Sequence, residues 1–325
     1  EMLRSLVGSE MCIRDSPPSL WWEFLERISM KIKKSTIALF LGPALLLFIV
    51  FTLYPVLRTF LMSLYRVNTV TTPINEWEFV GIQNYIDLFN NAIFKISLKN
   101  IVKIWFFSGI GTIGISLIFA AILNSEIMGK RFFTSIIYLP KVISAIAIGY
   151  AWLLYVFNSQ FGLFNKVFSG IGLNSLAKIE WLSPDHIFTA MILAAIFNAI
   201  GQYTLMYISA MTRIPKDYYE VAKIEGESKF KQFFTITLPL IKDVIKTSLV
   251  LFTTGTIGFF AFSRIFGHIT TATPMLFTYN QIFGTEINPN TNVGIGAASG
   301  VIMTLLGVLF FVISNIIVKN TDFEY

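Results

Sequence analysis

The sequence predicts an all-α protein, a polytopic bundle of about six transmembrane helices. Three observations lead there. Hydrophobic residues make up 54% of the chain and charged residues only 14%, at a mean hydropathy of +0.67, whereas soluble domains carry about 25% charged residues. Six apolar stretches reach the length of about 20 residues that a helix needs to cross roughly 30 Å of hydrocarbon. Lys and Arg then fall unevenly on the segments between those stretches, as the positive-inside rule requires of a multi-pass protein.

The first span is expected over 35–57, after a basic flank of Arg27, Lys31, Lys33 and Lys34. Gly42 and Pro43 near its start are tolerable because a membrane helix can re-satisfy a freed carbonyl through its neighbours. The following loop, 65–97, carries Trp77, Phe79, Tyr85 and Phe89 among polar residues, as an outer loop with interfacial anchors would. Further spans are predicted over 104–123, 138–157, 187–206, 244–266 and 293–318. Six crossings place both termini on one side. Lys130, Arg131 and the many cations of 213–242 share the side of the N-terminal flank, while the opposite loops hold chiefly Arg66, Lys95, Lys166 and Lys178. Both termini are therefore expected on the cytoplasmic side of the membrane. Gly109, Gly111 and Gly114 in the second span, and Gly296, Gly300 and Gly307 in the last, read as close-packing faces.

Composition also excludes functions. The net charge of +6 belongs to loops flanking apolar segments, and no basic cluster with interleaved aromatics marks a nucleic-acid surface. The single cysteine, Cys12, rules out an intrachain disulfide and a cysteine metal cluster. Residues 1–16 are polar and aperiodic, end at Pro17 and Pro18, and lack a signal peptide's apolar core. They read as non-native, with Met30 the expected start, so 1–30 is expected as a tail and 31–325 as one transmembrane domain.

The longest inner excursion, 213–242, reads RIPKDYYEVAKIEGESKFKQFFTITLPLIK. Its first part is rich in helix formers between Pro215 and Gly226, with Asp217 placed to cap. Its second part spaces Phe230, Phe233 and Phe234 at helical intervals before Leu238 and Pro239. Two short helices meeting at a glycine are expected, with the aromatic residues turned inward.

Glu220, Val221, Ala222, Gly226, Ile236, Leu238 and Pro239 stand at the positions of an EAA-x3-G-x9-I-x-L-P pattern, Val221 alone departing from it. The segment resembles the signature of ATP-binding-cassette importer permeases. The resemblance implies a type I importer permease fold and a loop that docks on a separate ATPase through Glu220, Ala222, Gly226, Ile236, Leu238 and Pro239. Further stretches are similar to the maltose and glycerol-phosphate branch: FVGIQNYIDL at 79–88, KRFFTSIIYLPKVIS at 130–144, and a G-x-x-N turn from Gly162 to Asn165. Where many members of that branch carry Gly-Gly-Pro, this chain has Thr271, Ala272, Thr273 and Pro274.

By the same resemblance the partners are a second permease in a heterodimer, two ATPase subunits, an extracytoplasmic solute-binding protein and a carbohydrate substrate, within membrane lipid and without nucleic acid. ATP and Mg would sit on the ATPase, with no cofactor in this chain. The residues agree, because no G-x-x-x-x-G-K-[ST] loop is present and Gly129 with Lys130 lacks the upstream glycine. His186 and His268 do not form a metal-ligand pair. Gly114, Ile115 and Ser116 spell G-x-S, but no membrane-depth histidine could activate that serine. The chain is thus expected to transport and not to catalyse. A secondary transporter is the rival class, and its usual intramembrane carboxylates are missing from the spans apart from Asp243 at one entrance. Asn198, Gln202, Tyr203, Phe259 and Ser263 are the candidate pathway residues, since a sugar needs hydrogen-bonding groups beside aromatic faces. Buried polar groups also bind helices to each other, which is the competing role.

Overall fold

The computed structural model describes residues 34–125, 127–285 and 289–317. The expectations for the N-terminal tail, Cys12, Met30 and most of the first basic flank lie outside those residues. Among the described residues, five helices are long and apolar enough to cross a membrane: Leu39–Met62, Ala92–Asn124, Ile187–Met211, Lys242–Phe266 and Val293–Val312. A bent pair, Lys130–Val142 with Ala145–Val156, makes a sixth crossing if it is taken as one span.

The described residues fall into two compact units, 34–58 and those from 59 onward. The described part of the first unit is helical throughout, from Lys34–Phe48, which accommodates Pro43, through a wide π turn at Ile49–Leu53. Its large apolar side chains, among them Phe40, Leu46 and Phe51, are exposed.

The second unit begins with a small hairpin in which β1 (Tyr65–Arg66) pairs antiparallel with β2 (Glu78–Phe79). Here the 79–88 stretch acquires a physical role. Asn84 is buried and its amide donates to the carbonyls of Ser63 and Tyr65 at 2.9 Å each, and Tyr85 Oη pairs with Ser63 Oγ at 2.7 Å. Gly294 of the last span lies against this clamp, since a Cβ there would fall 2.5 Å from the Tyr65 oxygen. Of the four expected anchors, Phe79 and Phe89 are exposed, whereas Tyr85 is tied to Ser63 and the Trp77 indole donates to the Thr72 carbonyl.

The second and third spans differ most from the expectation, while the first and fourth run on to Met62 and Met211. The second starts at Ala92, not at 104, and runs 33 residues to Asn124; its amino end is capped by Asn91 Oδ1, which accepts from the amides of Ile93 and Phe94. An apolar window stops at Lys103, but a helix needs only a buried stripe, which Phe94, Ser97, Asn100 and Ile104 supply. The third is broken by a 99° bend after Val142, so 138–142 belongs to the preceding amphipathic helix and the crossing segment begins at Ala145. Ser144 is extended there.

The fourth span, Ile187–Met211, is the centre of the core, with Ala190, Met191, Ala194 and Ala195 buried. It meets the second span where a Cβ on Gly111 would lie 2.5 Å from Ile196 Cδ1 and where Ser116 Oγ donates to the Ile200 carbonyl at 2.9 Å. Gly109 packs on Phe252, Gly296 on Ile282 and Gly307 on Ile257, but nothing lies within 4 Å of a Cβ built at Gly114. The fifth span breaks between Ile257 and Ala261. A helix at Pro274–Phe283 then packs beside the last span, Val293–Ile317. At the far end of the third and fourth spans, Trp152, Phe157, Phe164, Trp181 and Phe266 form one aromatic cluster.

Candidate functional site

The 213–242 segment forms the two short helices expected of it, Asp217–Ile224 and Lys229–Gln232, the second continuing through a π turn at Phe233–Thr237. The first helix is closed by a double carbonyl lock. The Glu227 amide donates to the Ala222 carbonyl at 2.9 Å and the Gly226 amide to the Lys223 carbonyl at 3.1 Å, the Schellman arrangement that needs a left-handed residue at the junction. Gly226 provides it at φ +78°. Asp217 does not cap: Lys216 holds that position without a side-chain bond, and Asp217 joins Glu220 in the first turn, where negative charge complements the helix dipole.

The second helix is organised by Glu227. Its carboxylate pairs with Lys231 at 2.8 Å, accepts from Thr235 Oγ1 at 3.3 Å, and its carbonyl takes a bond from Gln232 Nε2 at 2.9 Å. The hydrogen bond from Lys231 holds the Glu227 carboxyl below its ordinary range. Ser228 caps the helix by accepting from the Lys231 amide. The two helices are then tied together by Tyr219 Oη and Thr237 Oγ1 at 2.9 Å.

The signature residues divide by burial. Ala222 is buried, Ile236 and Leu238 are half-buried, and Glu220, Gly226 and Pro239 are exposed. The Glu220 carboxylate makes no ion pair among the described residues. Leu238 and Pro239 join Leu117, Lys242, Ile245 and Lys246 around an open groove of about 460 Å³. The aromatic residues do not all turn inward. Phe233 packs toward Met211 and Ile241, but Phe230 is 76% and Phe234 49% exposed, the two rings meeting at 4.9 Å on an i,i+4 face turned away from that packing. Val221 at 60% and Ile224 at 85% exposure add to an apolar surface on this loop.

The five pathway candidates are not gathered at one point. Asn198 is buried and its amide donates to the Pro140 carbonyl at 2.8 Å, serving an acceptor near the end of the bent helix, which is the helix-binding role. Ser263 is fully buried and donates to the Thr271 carbonyl at 2.7 Å. Phe259 stacks on Phe262 at 6.0 Å, and Tyr203 packs edge-on against Phe252 at 6.2 Å. Gln202 is half-buried and its side-chain amide has no hydrogen bond among the described residues.

Thr271 and Thr273, in the stretch that stands where many members of that branch carry Gly-Gly-Pro, act as caps. Thr271 forms a reciprocal box with His268, and Thr273 Oγ1 donates to the Phe259 carbonyl at 2.7 Å across the break in the fifth span. Asn100 holds the same turn through the carbonyls of Thr270 and Ala272 at 2.8 Å each. His186 Nδ1 pairs with Ser183, and no cluster of metal-ligating side chains occurs among the described residues. Gly201 was not legible as a key position: a Cβ there would meet the Ile137 carbonyl and lie 2.7 Å from Tyr138 Cα, so the bent helix crosses the fourth span backbone to backbone.

Residues 92–322 match the model of the family described as binding-protein-dependent transport system inner membrane component. The chain belongs to that family. It is 30% identical over 290 residues to the arabinooligosaccharides transport system permease protein AraP of Bacillus subtilis, covering 87% of this chain and 88% of that one. It is 35% identical over 211 residues to the trehalose/maltose transport system permease protein MalF of Thermococcus litoralis, covering 64% and 69%. A crystal structure of a bacterial ABC transporter involved in the import of the acidic polysaccharide alginate has a chain that superposes with a TM-score of 0.72 at 21% identity, over 90% of this chain and 100% of that one. The fold is that of an ABC importer permease. The protein is a multi-pass inner-membrane transport component and not itself an enzyme. The matched region includes the whole 213–242 loop and starts at the amino end of the long second helix.

Proposed function

We propose that this chain is the permease subunit of a carbohydrate importer and that the 213–242 loop receives the work of ATP hydrolysis from a separate ATPase. The observation that carries the reading is the loop itself, a two-helix body locked at Gly226 and by Tyr219 with Thr237. It leaves Val221, Ile224, Phe230 and Phe234 exposed beside an exposed Glu220 that makes no ion pair among the described residues. An apolar face of this kind gains by burial against a partner, and a carboxylate free of internal ion pairs is available to a basic or hydroxyl group there. The names of the permeases it is similar to support a sugar or oligosaccharide as cargo.

In this reading a second permease completes the pathway, two ATPase subunits hold ATP and Mg, and an extracytoplasmic binding protein delivers the substrate. Both termini lie in the cytoplasm, with Lys130, Arg131 and the 213–242 cations on the same side. Closure of the ATPase pair moves the coupling loops, and that displacement passes to the fourth and fifth spans, which the loop joins. Each ligand biases the balance between inward-open and outward-open states. Gln202, whose side-chain amide has no hydrogen bond among the described residues, is the pathway residue on the fourth span, with Tyr203 buried beside it against Phe252.

Co-expression with the neighbouring permease and ATPase genes, followed by pull-down through a tag on this chain, tests the reading. Wild type should retain the ATPase and Gly226→Arg should release it or uncouple transport from hydrolysis. A wild-type chain that binds no ATPase in the presence of its cognate partners would make a stand-alone transporter the better account.

A further inference from the structure

The long second helix carries Lys95, Lys99 and Lys103 at successive intervals of four residues, hence on one face. All three are exposed, and none forms an ion pair among the described residues. The ladder extends over about 12 Å of helix. Lys103 points at protein, with its ammonium 5.7 Å from the centroid of the Phe188 ring at the start of the fourth span. Asn100, between the upper two rungs and the last, holds the 270–272 turn, to which Ser263 is also bonded. The next residue, Arg264, is exposed, with its guanidinium 5.3 Å from the Tyr279 ring centroid and no ion pair among the described residues. Asp87 on the preceding helix is engaged by Gln83 at 2.8 Å, and Glu78 is paired with Arg66. Cations at this spacing repel one another; apart from the Phe188 ring at Lys103, no described carboxylate pairs with any of them.

We propose that this ladder, on the outer side of the bundle in the orientation given above, receives a carboxylate-bearing oligosaccharide, so that the cargo of this importer is an acidic carbohydrate. The inference rests on the carbohydrate-importer reading and on the orientation given with it. Charge complementarity selects the occupant: an unbranched polyanion can place successive carboxylates along successive ammonium groups, whereas a neutral sugar gains nothing from them. A row of one sign also raises the local concentration of an oppositely charged solute.

The test uses the full complex, with partner permease, ATPase and binding protein, in phosphatidylcholine vesicles. ATPase stimulation and uptake are measured with trigalacturonate, with its methyl ester, and with maltotriose, for wild type and for the triple variant Lys95→Gln, Lys99→Gln, Lys103→Gln. Co-purification of the ATPase and the basal hydrolysis rate report that the variant is folded. Wild type should respond to trigalacturonate above its ester. The variant should need about tenfold more of the acid for half-stimulation, with no change for the ester, and the wild-type advantage should shrink with salt.

A response to maltotriose or the ester without preference for the acid overturns the proposal and leaves the importer reading standing. No response to any of the three counts against the carbohydrate reading as well. Equal loss of all responses in the variant makes the ladder a docking surface for the binding protein, and an effect of the variant only in vesicles containing phosphatidylglycerol makes it a lipid anchor; either result overturns the acidic-cargo assignment.

Discussion

Gly226→Ala perturbs the coupling loop in one respect only. A Cβ at Gly226 meets nothing within 4 Å, so the substitution adds no clash and removes no contact. What it changes is the backbone, which sits at φ +78°, where an L-residue with a Cβ costs roughly 1–2 kcal/mol. That cost falls on the two Schellman bonds from Glu227 and Gly226. The closed loop should lose about 5- to 30-fold in population relative to opened forms, and affinity for the ATPase should fall by a comparable factor, because only the closed form presents the docking face. Gly226→Asn should recover much of the loss, since asparagine tolerates the left-handed region. Titration of detergent-solubilised complex with ATPase subunit gives the affinity. Thermal unfolding of the spans provides the control and should be unchanged, because Gly226 is exposed and outside the core. Wild-type affinity for the alanine variant, or an asparagine variant as weak as alanine, would refute the reasoning that the left-handed turn sets docking.

Three further outcomes are expected. Glu227 has a folded pKa depressed chiefly by its hydrogen bond from Lys231, so its contribution is present above its ordinary pKa of 4.5 and is lost as pH falls through the lower folded value. Amide exchange in 228–237 should therefore quicken on acidification below that range, and Lys231→Gln should bring the fast exchange to higher pH. Gly201→Ala should destabilise the bundle by about 1–3 kcal/mol, since its Cβ meets backbone of the bent helix 2.7 Å away at Tyr138 Cα, whereas Gly114→Ala, with open space around it, should leave the melting temperature near wild type. Asn198→Ala orphans the Pro140 carbonyl at about 1–3 kcal/mol and should lower stability without altering half-saturation for substrate, while Gln202→Ala should alter half-saturation with stability intact; the reverse pattern in uptake and melting assays would exchange their roles.

The signature loop was the most legible part of the chain because its chemistry is local. A glycine directly after the helix-forming run 217–225 is a stop that depends on no distant segment; the Ser228 cap and the Glu227–Lys231 pair are just as local, but the sequence pattern points to a cap at Asp217 instead. The pathway candidates were less legible because their types are ambiguous. Asn198, Gln202 and Ser263 are polar residues on apolar helices, and whether such a group faces a cavity or a neighbouring carbonyl depends on which helix lies opposite. For Asn198 and Ser263 it is a carbonyl. The cations at Lys99 and Lys103 were hidden for another reason, since an apolar window ends where charge begins while the helix does not.

Composition, apolar length and the EAA-type spacing by themselves determined a multi-pass helical membrane protein of this importer family, because burial in lipid constrains every residue of a span and a short loop motif is closed by its own backbone. Tertiary structure decided the 99° break after Val142, the outward turn of Phe230 and Phe234, the backbone crossing at Gly201 and the long lysine-bearing second helix. Each of these depends on contacts between segments far apart in sequence, or on how a helix winds under that packing, and periodicity along the chain carries neither.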